Sequence, residues 1–92
     1  MIRSCRDADT EKLANRHRVK KFEAIENAAR RKLNLLDAAD TIHDLAQYPG
    51  LRLEKLKADR AGQYSIRVND QYRLCFTWRD GEAHDVELTD YH

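Results

Sequence analysis

Apolar residues fall on every second position through much of the C-terminal half of this chain. Tyr64, Ile66 and Val68, then Tyr72, Leu74, Phe76 and Trp78, alternate with polar residues, the period of a strand buried on one face. Asn69-Asp70-Gln71 joins the two runs as a hairpin, Asp80-Gly81 predicts the next turn, and Val86 with Leu88 marks a last strand. Leu51, Leu53 and Lys55 alternate with Arg52, Glu54 and Leu56 as a weaker strand, and residues 57–62 read as a polar loop.

In the N-terminal half the period changes. Phe22, Ile25, Ala29, Leu33 and Leu36 are three or four apart, one apolar stripe on a helix from about residue 19 to residue 39, with Arg30, Arg31 and Lys32 largely outside it. Asp9-Thr10 ahead of Glu11, Lys12 and Leu13 predicts a capped helical turn. Thr41 with Asp44 before Leu45 predicts a second short helix, which Tyr48-Pro49-Gly50 stops. Residues 2–4 are expected to open a short edge strand. Helices followed by a meander give an α+β domain covering residues 1–92, its N-terminal helices packed on one face of a mainly antiparallel sheet of four to five strands.

Composition narrows the class. Ninety-two residues suffice for one small core, and 41% hydrophobic with 36% charged residues describe a folded domain with a dense polar shell. No stretch approaches a membrane span or a signal-peptide core, which predicts the cytoplasm and no membrane partner. Cys5 and Cys75 have neither metal nor disulfide spacing and are expected to be free thiols. No metal and no cofactor are expected.

The net charge of +1 conceals a division: residues 1–36 carry +5, residues 37–51 carry −3, residues 52–79 carry +4 and residues 80–92 carry −5. The polar positions of the two clear strands, Gln63, Ser65, Arg67, Asn69, Arg73, Thr77 and Arg79, form a surface of guanidinium, amide and hydroxyl groups suited to a polyanion. So small a net charge gives little counterion release. An RNA ligand would have to be presented by another body or held by few contacts.

The run LKADRAGQYSIRVNDQYRLCFTW, followed by DYH, resembles the HigB (host-inhibition-of-growth) branch of the RelE/ParE superfamily of bacterial toxins. From the opening MIRSCRDADTEKL onward the resemblance covers nearly the whole chain. It implies a RelE-like fold and the toxin of a type II toxin–antitoxin system, a messenger-RNA endonuclease that cuts translated codons in the A site of the 70S ribosome without a metal. It also implies a HigA-type helix-turn-helix antitoxin as partner, with operator DNA reached only through that antitoxin.

Such cleavage needs a base for the 2′-hydroxyl proton, cations for the phosphorane and an acid for the leaving 5′-oxygen. Arg67 and Arg73 lie on adjacent strands with Lys57 and Arg60 in the loop before them, four cations able to converge on one phosphate. His92, Asp90 and Lys57 are expected to carry proton transfer, Arg73 and Arg60 to stabilise the phosphorane, and Tyr91 to stack on or orient the nucleotide. Glu54, Lys55, Arg67 and Asn69 are expected to contact RNA. The resemblance puts a histidine where this chain has Glu54, a weaker base than imidazole, and commonly a glycine where it has Ala58. Strict alternation from Val86 and Leu88 also sends Asp90 and His92 to the apolar face and Tyr91 toward Arg67 and Arg73, unless a bulge or fraying turns the last residues. Two other readings stand beside the nuclease: a ParE-like toxin that binds DNA gyrase, and a non-catalytic, degenerate member of the family.

Overall fold

The computed structural model describes residues 1–90. Helix α1 spans Ala8–Ala14, and its N-cap is Asp7, whose carboxylate accepts the Thr10 amide at 3.3 Å. The cap therefore lies ahead of the expected Asp9-Thr10. Thr10 faces inward instead, fully buried, and its Oγ1 accepts the Leu88 amide at 3.0 Å. A buried amide left without an acceptor costs about 1–3 kcal/mol, so this hydroxyl ties α1 to the sheet.

The single helix expected over residues 19–39 is two elements. A 3₁₀ segment, Lys20–Ile25, leads into α2, Glu26–Ala38. Side chains three apart eclipse in a 3₁₀ helix, which puts Phe22 and Ile25 on one side. Phe22 meets Tyr72 edge-on with ring centroids 5.7 Å apart. Ile25, at φ −115° and ψ 7°, interrupts the α path before α2 buries Ala29, Leu33 and Leu36.

Helix α3, Ile42–Ala46, opens with the expected capping box: the Asp44 amide donates to Thr41 Oγ1 at 3.2 Å and Asp44 Oδ2 accepts from the Thr41 amide at 3.0 Å. The Asp40 amide adds a bond at 2.9 Å. The Asp40 amide first, then that of Thr41, holds the Asp44 carboxyl below its ordinary range.

After a 3₁₀ turn at Pro49–Leu51, Arg52 adopts φ 46°. This left-handed residue swings the chain off the ladder, so the expected strand over residues 51–56 shrinks to β1, Glu54–Lys55. Strands β2 (Gln63–Arg67), β3 (Tyr72–Arg79) and β4 (Glu82–Asp90) complete an antiparallel meander of order β1-β2-β3-β4. Asp80 and Gly81 turn β3 into β4 at φ 53° and 76°, the conformation a tight hairpin turn asks of both central residues. The expected N-terminal edge strand is a pair of parallel bridges, Ile2↔Ala83 and Cys5↔Val86. They cover the outer edge of β4.

Ile66, Leu74, Phe76, Val86 and Leu88 pack against Leu13, Phe22, Ala29, Leu33 and Leu36. The helices thus sit on one face of the sheet, as the α+β reading requires. β4 departs from strict alternation once. Cys75 pairs with Glu87 but Thr77 pairs with His84, and the extra residue is accommodated by Asp85 at φ 52°. This bulge puts Ala83 and Val86 in the core while His84 and Glu87 share the opposite face.

Candidate functional site

The register builds the other face in rows. Glu54, Ser65, Cys75 and Glu87 cross all four strands, and Arg67, Arg73 and Thr89 form the next row. The centre is not the open polar surface that alternation predicts, because Ser65 is fully buried and Cys75 is 1% exposed. Arg73 lies over it. Its Nε donates to Ser65 Oγ at 2.8 Å and its Nη2 to the Arg52 carbonyl at 2.7 Å. The left-handed turn at Arg52 that ends the weak strand thus also supplies a backbone acceptor that fixes this guanidinium.

Arg67 stands directly across from Arg73. Like charges so placed repel, and the repulsion is offset by an ion pair from Arg67 to Asp70 in the hairpin turn. Asn69 belongs to that turn too, its Oδ1 accepting the Tyr72 amide at 2.7 Å and the Gln71 amide at 2.9 Å. Its carboxamide oxygen is engaged in shaping the hairpin.

Lys57, Glu54 and Arg60 line a cleft of about 500 Å³ together with Lys55, Leu56, Ala58 and Asp59. Lys57 is exposed and extended, and a 3₁₀ turn, Ala58–Arg60, follows it. Ala58 opens that turn at φ 55°, a conformation that suits glycine better than a residue with a Cβ. Arg60 folds back onto the sheet: Nη1 donates to Gln63 Oε1 at 3.0 Å and Nη2 to Glu87 Oε1 at 3.1 Å. Its guanidinium is engaged there, whereas the sequence reading assigns it to a phosphate.

The remaining predicted residues separate. Lys55 pairs with Tyr64, on the register of the helix-covered face, whereas Glu54 pairs with Ser65. Asp90 pairs with Tyr72, also on the helix side, and accepts from Gln71 Nε2 at 3.1 Å. The bulge lies before Glu87 and leaves the parity of Asp90 as strict alternation has it. Tyr91 and His92 lie outside the described residues.

The register thus brings Glu54, Arg67 and Arg73 to one side of the sheet, Arg60 reaches that side through Glu87, and Lys57 lines the loop cleft with Glu54. Sequence reasoning missed Ser65 as the anchor of Arg73 and Glu87 as the partner of Arg60. Both carried a signal: Ser65 has the parity of Arg67, and Glu87 lies between the inward Val86 and Leu88. His84 carried none, since only the bulge turns it to this face, where its Nδ1 lies 3.3 Å from Arg79 Nη2. Among the described residues no group of three or more His, Cys, Asp or Glu side chains is arranged to hold a metal ion.

Comparison with known proteins adds four findings. Residues 9–92 match the family described as HigB-like toxin, the RelE-like toxin of the type II toxin-antitoxin system HigB. Toxin HigB-1 of Vibrio cholerae serotype O1 is 53% identical over 65 residues, which are 71% of this chain and 68% of that protein. Endoribonuclease HigB of Proteus vulgaris is 34% identical over 61 residues, 66% of this chain and 65% of that one. Among solved structures, a chain of the heterotetrameric YoeB-YefM toxin-antitoxin complex of Staphylococcus aureus superposes with a TM-score of 0.63 and 26% identity, covering 100% of this chain and 98% of that chain.

Proposed function

This chain belongs to the HigB-like toxins, RelE-like toxins of type II toxin–antitoxin systems, and we propose that it is an endoribonuclease that cuts messenger RNA in the ribosome. The observation that carries the reading is the anchored Arg73, held by Ser65 Oγ and the Arg52 carbonyl on a face shared with Glu54, which in turn lines a cleft with Lys57. A guanidinium fixed before substrate arrives stabilises charge that develops on a phosphate without reorganising during the reaction. The net charge of +1 supports presentation of the substrate by the ribosome, since counterion release alone would bind free RNA weakly.

Cleavage follows from attack of the 2′-hydroxyl oxygen on the adjacent phosphorus, without a metal. The new 2′-oxygen–phosphorus bond forms as the bond to the 5′-oxygen breaks, leaving a 2′,3′-cyclic phosphate and a 5′-hydroxyl. One proton leaves the 2′-hydroxyl and one is delivered to the 5′-oxygen. His92, Asp90 and Lys57 carry these transfers, with Glu54 beside Lys57 as a further acceptor. Arg73 neutralises the phosphorane, and Tyr91 orients the nucleotide. Asp90 pairs with Tyr72 on the helix side of the sheet, so its share in proton transfer is supported by the family resemblance rather than by the register. A helix-turn-helix antitoxin of HigA type neutralises the toxin in the cytoplasm and brings the pair to operator DNA.

The test is growth after induction, with primer extension on an abundant translated transcript, with and without an inhibitor of translation initiation. In-frame cuts that need translation are expected for the wild type. Arg73→Ala and His92→Ala should each lose them, Arg73→Ala by about 10²–10³ in rate, the loss typical of removing one such charge-stabilising donor. Growth arrest with intact messenger RNA would instead indicate a gyrase-type target and overturn the reading.

A further inference from the structure

Arg60 and Glu87 bridge two elements that the chain otherwise keeps 27 residues apart. Arg60 ends the 3₁₀ turn that follows Lys57. Inside the segment the backbone bonds are local, Arg60 N to Lys57 O at 3.2 Å and Ala61 N to Ala58 O at 3.0 Å. The segment also passes through the unfavourable φ of Ala58. The Arg60 fork to Gln63 and Glu87 supplies side-chain bonds that fasten this turn across the sheet. The two side chains of the ion pair are only 31% and 25% exposed, so solvent screens the pair less than it would on an open surface. The bulge in β4 keeps Glu87 on this face even though His84, three residues earlier, is there as well.

We infer that Glu87 is a positioning residue, acting through Arg60 to hold residues 57–61 against the sheet and so to fix the Lys57 ammonium in the cleft it lines with Glu54. Its effect on cleavage rests on the nuclease reading; its effect on the loop does not. The rival role for Arg60, a direct phosphate contact, predicts the opposite behaviour of Glu87. If Arg60 served the phosphate, removing Glu87 would release a cation and leave cleavage unchanged or faster. If Arg60 is a strut, removing either end loosens the same loop.

The experiment compares Glu87→Ala, Glu87→Gln, Arg60→Ala and the double alanine variant in a reconstituted translation reaction, beside amide hydrogen exchange on each protein without ribosomes. Glu87→Ala and Arg60→Ala should each lower kcat by about 10–100-fold with KM little changed, the scale of a catalytic group misplaced by about 1 Å. The double variant should be no worse than either single one. Glu87→Gln keeps an oxygen for Arg60 Nη2 and should stay near the wild type, which a general loss of folding would not produce. In Glu87→Ala the amides of Arg60 and Ala61 should exchange faster while the core strands keep their protection. Unchanged exchange at those two amides would overturn the strut whatever the activity. Faster exchange with undiminished cleavage would overturn the positioning of Lys57. A wild-type protein that cleaves nothing would defeat the nuclease reading alone, since exchange still decides whether Glu87 holds the loop.

Discussion

Replacing Ala58 by glycine should make this protein more stable, against the usual direction of such a change. Ala58 sits at φ 55° and is exposed, so deleting its Cβ removes no buried contact. The left-handed conformation costs an L-residue roughly 1–2 kcal/mol, and glycine escapes that. Glycine's freer unfolded chain gives back about 0.4–1 kcal/mol. The net expectation is a gain of about 1 kcal/mol, or roughly 4–8 °C in Tm for a domain of this size. Ala61, in the same loop and also exposed, is the matched control because its φ is −54°. Ala61→Gly carries the unfolded-state penalty with no strain to relieve, and should lose about 0.4–1 kcal/mol. Calorimetric melting of the two variants beside the wild type reads opposite signs from an identical chemical change. If both lowered Tm equally, the left-handed turn after Lys57 would not be the conformation in solution.

Three further outcomes rest on other contacts. Thr10→Val removes the oxygen that accepts the buried Leu88 amide and should cost about 1–3 kcal/mol in urea unfolding, whereas Thr10→Ser, which keeps the hydroxyl, should lose clearly less. The Asp44 carboxyl is held low by the Asp40 and Thr41 amides, so its contribution to stability is present above its ordinary value and is lost as pH falls through the lowered one; Asp44→Asn should flatten the acid limb of the stability profile. Burial first, then the Glu11 and Asp7 carboxylates, push the Cys5 thiol from 9.0 to about 11. That leaves roughly a hundredfold less thiolate at neutral pH, so alkylation by iodoacetamide at pH 7.5 should be slower than for a free cysteine peptide by about that factor.

Much of the fold was legible because burial imprints a period on the chain. The alternation from Tyr64 to Trp78, the stripe from Phe22 to Leu36 and the Thr41–Asp44 box each act over a few residues. Each appears in the structure as a hairpin, a helical face and a capped α3. The chain's basic strand face and its family likewise followed from local runs of residues. What failed in detail depends on contacts made far along the chain. Thr10 turns inward to meet Leu88, 78 residues away, and that moved the cap from Asp9 to Asp7. The helix at residues 20–25 tightened where Phe22 meets Tyr72.

The site divides in the same way. Alternation alone assigned Arg67 and Arg73 to one face and Asp90 to the other, and the register agrees. It said nothing of what each cation bonds. Ser65 and the Arg52 carbonyl fix Arg73, Asp70 takes Arg67, and Glu87 with Gln63 takes Arg60. Periodicity reports which side of an element is buried, a property of each residue and its near neighbours. Which charges are paired, and which are left to act, is decided by strand register, a bulge at Asp85 and a left-handed turn at Arg52, and those exist only once distant segments have packed together.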